Sequence, residues 1–114
     1  MYEELILFRN ELKNRLIPKY KVIGIVIEML FSKELFSKNS EIEDFLKEVF
    51  SLEFKLYLFK SRTLVAARVS KEILYMEKNN QYLKKLYKFI ENKIDELKDD
   101  TKTKRNQFDG WFSQ

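Results

Sequence analysis

The chain has no cysteine and no histidine, and its 114 residues include one proline, one tryptophan and two glycines. Without cysteine there is no disulfide, thiolate metal site or thiol nucleophile. Without histidine the commonest general base and the commonest metal ligand are both missing. An enzyme built on this chain would have to work through Asp, Glu, Lys, Arg, Tyr or Ser. The scarcity of glycine and proline leaves few makers of tight turns and argues against an all-β sandwich. The longest apolar run, Val22 to Ile27, is far short of the roughly 20 residues that span a bilayer. The acidic start, Met1-Tyr2-Glu3-Glu4, lacks the basic and apolar regions of a signal peptide. A soluble, intracellular, cytoplasmic protein with no membrane contact is expected.

Hydrophobic residues make up 45% of the chain and charged residues of both signs 35%. That balance supports a single domain with a modest core and solvated helix faces. The net charge of +4 permits contact with nucleic acid without demanding it, and no dense basic run marks a DNA wrapper.

Apolar periodicity points to helices along most of the chain. Leu5, Phe8, Leu12 and Leu16 recur at helical spacing within residues 2–17, and Pro18 is placed to end or kink that helix. Residues 20–31 are rich in β-branched residues and fit either a buried strand or a helix running through the middle of a bundle. The helix is preferred because no second strand is evident nearby, and Gly24 then marks a close approach by a neighbour. Ser40-Glu41-Ile42-Glu43 reads as a capping box after a loop at 37–40. From it Ile42, Phe45, Val49, Leu52, Leu56 and Phe59 hold a helical register. This predicts one helix from 41 to about 78, or two broken near Ser61-Arg62-Thr63. Asn79-Asn80 interrupts the pattern, and a last helix over 81–98 faces Leu83, Leu86, Ile90, Ile94 and Leu97 inward. Asp99-Asp100-Thr101 is expected to end it. The expected fold is all-α, a four- or five-helix bundle over 1–98 followed by a flexible C-terminal tail over 99–114.

The most distinctive part of the body is the segment 60–71, which is basic. No acidic residue occurs between Glu53 and Glu72. Lys60, Arg62, Arg68 and Lys71 make it a candidate surface for phosphates or for a partner. The plain alternative is a solvated face whose cations pair with neighbouring carboxylates. Arg62 and Arg68, six apart, fall on different sides of a helix. Glu3/Glu4, Glu41/Glu43/Asp44 and Asp99/Asp100 could suggest a hard metal. All but the last sit at expected helix N-termini, where negative charge needs no metal to explain it. There is no Gly-rich phosphate loop, nucleophile elbow or zinc pattern. A non-enzymatic protein without cofactor or metal is expected. The abundant Phe and Tyr, Phe45, Phe50, Phe54 and Phe59 among them, fit core packing better than base stacking.

The tail reads Lys104-Arg105-Asn106-Gln107-Phe108-Asp109-Gly110-Trp111-Phe112, with three large aromatics in a polar stretch. On a short helical turn Phe108, Trp111 and Phe112 fall on one side as a three-pronged plug. This pattern resembles the PIP box, the peptide by which replication and repair proteins hold PCNA-type sliding clamps. Trp111 and Phe112 align with the paired aromatics and Phe108 with the aliphatic plug. Arg105 stands where the motif has Gln, and Gln107 is out of register. The resemblance covers about the last ten residues and implies a sliding clamp as partner, bound through Arg105, Phe108, Trp111 and Phe112. The alternatives are a terminal lid packed on the bundle, or docking on another protein. The expected function is a non-enzymatic accessory protein of DNA replication or repair. A nucleic-acid-binding or assembly subunit of a ribonucleoprotein, working through 60–71, is the alternative.

Overall fold

The computed structural model describes residues 1–77 and 81–98 with their side chains, and of residues 80 and 99–112 the helical backbone alone. The elements are α1 (Tyr2–Leu12), α2 (Lys19–Phe31), α3 (Asn39–Phe50), a 3₁₀ turn (Leu56–Lys60), α4 (Arg62–Tyr75) and α5 (Asn80–Phe112). Among the described residues there is no strand, and no helix is long and apolar enough to cross a membrane. The fold is all-α, as the periodicity predicts. α1 and α3 pack on α5, α2 packs on α4, and the 3₁₀ turn lies against both α3 and α4.

The β-branched segment is helical because its apolar residues recur at three and four. Val22, Ile25, Val26, Met29 and Leu30 form the buried face of α2. They meet Val65, Val69 and Ile73 of α4 within one core that also takes Leu5 and Phe8 of α1 and Leu86 and Ile90 of α5. An aromatic cluster closes the other end. Phe45 of α3 lies 5.2 Å from Phe36 and 4.6 Å from Phe89, and Phe50 reaches Tyr82 at 5.7 Å. These separations suit tilted aromatic packing. Burial raises the Tyr82 hydroxyl pKa above its ordinary value of 10.0.

α2 and α4 run antiparallel and cap one another. Neither has a basic residue in its own last turn, where a cation would meet the negative end of the helix dipole. Instead Lys19, the first residue of α2, donates to Leu74 O at 3.1 Å and to Met76 O at the end of α4. Arg62, the first residue of α4, donates through Nη1 to Leu30 O at 3.0 Å and Ser32 O at 3.4 Å. Its Nη2 donates to Phe36 O, and its Nε to Asn39 Oδ1 at 3.0 Å. Asn39 in turn donates to Phe59 O. A cation at its own helix N-terminus is locally unfavourable, by about 0.3–1 kcal/mol. Here each is placed to serve the other helix.

Several local expectations are corrected. α1 stops at Leu12 rather than 17, because Asn14 turns the chain: its Oδ1 accepts from Leu16 N at 3.0 Å and its carbonyl from Ile17 N at 3.1 Å. Leu16 is consequently exposed and Ile17 takes the core position. Pro18 is the N-cap of α2, not the stop of α1. No capping box forms at Ser40. The helix begins one residue earlier at Asn39, and Ser37 Oγ donates to Glu41 Oε1 at 2.7 Å. That hydrogen bond is the main cause holding the Glu41 carboxyl below its ordinary 4.5. The stripe from Ile42 does not continue as one helix. Ser51, at φ 55° and ψ 36°, is left-handed and ends α3. Residues 51–55 have no regular structure, and Leu56 is exposed. Ser61 makes a second break as the N-cap of α4, accepting from Leu64 N at 3.4 Å. Gly24 has no close neighbour: a Cβ there would meet nothing within 4 Å. The inward positions of the last helix are as predicted, with Leu83, Leu86, Ile90 and Ile94 buried. The helix expected to end at 99–101 does not end there: the backbone of α5 stays helical to Phe112 and takes in most of the expected tail, since no glycine or proline occurs between 99 and 109 to break it. The side chains of that stretch lie outside the described residues.

Arg62→Ala would strand three carbonyls and the Asn39 amide oxygen. Hydrogen bonds to a charged group are worth about 1.5–3 kcal/mol, so a loss of about 3 kcal/mol is expected in urea unfolding. Arg62→Lys should recover less than half, since an ammonium cannot reproduce the planar fork. A loss under about 0.5 kcal/mol for Arg62→Ala, the range of ordinary surface changes, would contradict the capping role.

Candidate functional site

α4 carries two stripes. Val65, Ala66, Val69 and Ile73 form the inward one. At 3.6 residues per turn, the opposite face then presents Leu64, Ala67, Arg68, Lys71, Leu74 and Tyr75. Leu64 is 52%, Leu74 55% and Tyr75 76% exposed, and Ala67, Arg68 and Lys71 are exposed too. Single exposed apolar side chains are ordinary, but three on one helix face form a patch. The 3₁₀ turn packed against α4 adds exposed Leu56, Tyr57 and Lys60. Among the described residues, neither Arg68 nor Lys71 takes part in an ion pair, so the solvated-face alternative with carboxylate partners does not describe them.

The four predicted cations are thus divided. Lys60, Arg68 and Lys71 are exposed. Arg62 is partly buried and committed to the carbonyls that end α2. The sequence reading missed the outward apolar residues Leu64, Leu74 and Tyr75. Their signal was the second helical spacing 64, 67, 71, 74 and 64, 68, 71, 75, offset from the core stripe and carrying Arg68 and Lys71 between the apolar residues. The four tail residues Arg105, Phe108, Trp111 and Phe112 lie outside the residues described with their side chains.

A second surface of different charge lies between α1 and α2. Two adjoining depressions of ≈ 360 Å³ and ≈ 440 Å³ share Glu4 and Glu28. Leu7, Glu11 and Gly24 line the first and Phe31 and Glu34 the second. The Met1 ammonium pairs with Glu4 at 3.1 Å and Glu34 at 3.2 Å. These hydrogen bonds raise the pKa of the amine above its ordinary value. Among the described residues, no side chain occupies the space over Gly24.

A third depression of ≈ 250 Å³ gathers Lys13, Arg15 and Lys84 over Leu12, Leu83 and Tyr87. Its cations are all exposed, and none of its lining polar groups is buried and fixed as in a built anion site. Among the described residues, no group of three or more acidic side chains converges as metal ligands would.

Among the described residues, the all-helical fold carries a basic-apolar face on α4, a smaller basic-apolar depression between α1 and α5, and an acidic-apolar groove between α1 and α2. No family model, curated protein or solved structure matches the chain.

Glycine inside a helix costs about 0.5–1 kcal/mol relative to alanine. With the space above it open, Gly24→Ala should stabilise the protein by about that amount in urea unfolding. Destabilisation would mean that α2 approaches a neighbour more closely there than the geometry indicates.

Proposed function

We propose that this chain acts by binding, as a small non-enzymatic accessory protein. The observation that supports this most directly is the outward face of α4, where Leu64, Leu74 and Tyr75 surround Arg68 and Lys71 with no acidic residue between positions 53 and 72. Tyr and Arg are the residue types that most often anchor protein interfaces. Exposed leucines favour a protein partner over a phosphate backbone, and the uncompensated cations favour an acidic one. The C-terminal tail supplies a second docking element. Its resemblance to a clamp-binding peptide supports attachment to a sliding clamp through Phe108, Trp111 and Phe112, with Arg105 beside them. In this reading the protein serves DNA replication or repair, held by its tail and offering α4 to a second protein.

The test is calorimetric titration of the full chain into a purified PCNA-type clamp. Wild type should bind, and Trp111→Ala with Phe112→Ala should abolish binding while circular dichroism is unchanged. No binding by wild type ends the clamp reading. A melting temperature lowered by several degrees in the double variant would instead make the tail a lid on its own bundle. For the α4 face, a gel shift of duplex DNA or RNA that weakens steeply with salt and is lost on reversing Lys60, Arg68 and Lys71 would move the function to nucleic acid.

A further inference from the structure

The basic-apolar face and the acidic-apolar groove are complements carried by one chain. The α4 ridge offers Leu64, Leu74 and Tyr75 around Arg68 and Lys71. The groove offers Leu7 and Phe31, 62% and 49% exposed, beside Glu11 and Glu28. Glu4 and Glu34 are engaged by the Met1 ammonium. Glu11 and Glu28 are in no ion pair among the described residues, so they are open to an incoming cation; the cations of the groove wall are the Met1 ammonium, already engaged, and Lys21. We infer that the α4 ridge of one copy of this chain docks in the α1–α2 groove of a second copy.

Three observations carry this. Charge complementarity is the first: free carboxylates lie on one surface and free cations on the other, each flanked by exposed apolar side chains. Gly24 is the second. A glycine in mid-helix lowers helix stability, and among the described residues nothing uses the space it leaves. A helix arriving from outside can use it, since absence of a side chain lets backbones come close. Topology is the third. α2 packs on α4 with its buried stripe and lines the groove with Lys21, Gly24 and Glu28. The ridge is the face of α4 turned away from that contact. The α4 ridge of one chain therefore cannot reach that chain's own groove, and a ridge-to-groove contact is heterologous. Each pair leaves a free ridge at one end and a free groove at the other, so assembly continues until a ring closes or remains open.

The inference rests on the reading that the α4 face docks protein, and it names the partner. Sedimentation velocity on the full chain tests it, over about 10 μM to about 1 mM. Wild type should gain mass with concentration, less so in high salt. Glu11→Lys with Glu28→Lys should hold the chain monomeric, and so should Arg68→Glu with Lys71→Glu. An equimolar mixture of these two variants should associate again, because each reversed surface then meets a complementary one. Gly24→Leu, which fills the groove without altering charge, should also be monomeric with its melting temperature undiminished. A wild type that stays monomeric at the highest concentration overturns the inference, as does a mixture that does not recover association. If ridge reversal blocks association and groove reversal does not, α4 docks elsewhere: the inference falls and the reading of α4 as a docking face stands. If ridge reversal leaves association unchanged, the inference falls, and the reading of α4 as a docking face rests on a partner other than this chain.

Discussion

The exchange of caps between α2 and α4 is the constraint on which the rest of the structure depends. A helix ends with carbonyls that lack intrahelical partners, and a buried end must find donors elsewhere. α2 is the most apolar helix and carries no cation near its own end. Arg62 answers that need from across the bundle, and Lys19 does the same for α4. Because Arg62 also holds Phe36 O and Asn39, the same guanidinium sets the path from α2 into α3. That path places Phe36 against Phe45 and Phe89. The aromatic end of the core thus follows from a polar contact. A guanidinium suits the task, since its planar fork reaches several acceptors at once and stays charged at any physiological pH.

Much of the helical content was legible because burial follows periodicity. α5 shows it plainly: Leu83, Leu86, Ile90 and Ile94 are at helical spacing and are buried. α2 does not, since its β-branched run fits a strand as well, and only the want of a partner strand favoured the helix that buries Val22, Ile25, Val26 and Met29. The stripe after α3 misled for a physical reason. An extended stretch followed by a 3₁₀ turn can deliver Phe59 to the core at a spacing that also fits a helix, while Leu56 goes to solvent. What ends α3 is one left-handed serine, and serine reaches that conformation too seldom for the sequence to announce it. The mutual caps were illegible, since Lys19 and Leu74 lie 55 residues apart in the chain. Of the basic segment, the sequence marked the surface but not the division of labour within it. Arg62 and Arg68 look alike in sequence, and their helix angles separate them into a cap and a ridge.

The two charged-apolar surfaces also explain how a chain of mixed charge can be locally one-sided. A net charge of +4 conceals a basic face on α4 and an acidic groove on α1 and α2. Their separation by α2 gives the molecule polarity, with a donor side and a receiver side.

The span of the Arg62 contacts has a consequence for synthesis. The carbonyl acceptors lie 26 to 32 residues before their donor, so a chain leaving the ribosome presents α2 before the residue that finishes it. For that interval the most apolar helix has an open end and no α4 to cover its buried face. Only when Arg62 and the helix behind it emerge can both defects be repaired, and they are repaired together. α2 and α4 therefore mature as one cooperative unit late in translation, and the nascent chain depends until then on not meeting another like itself.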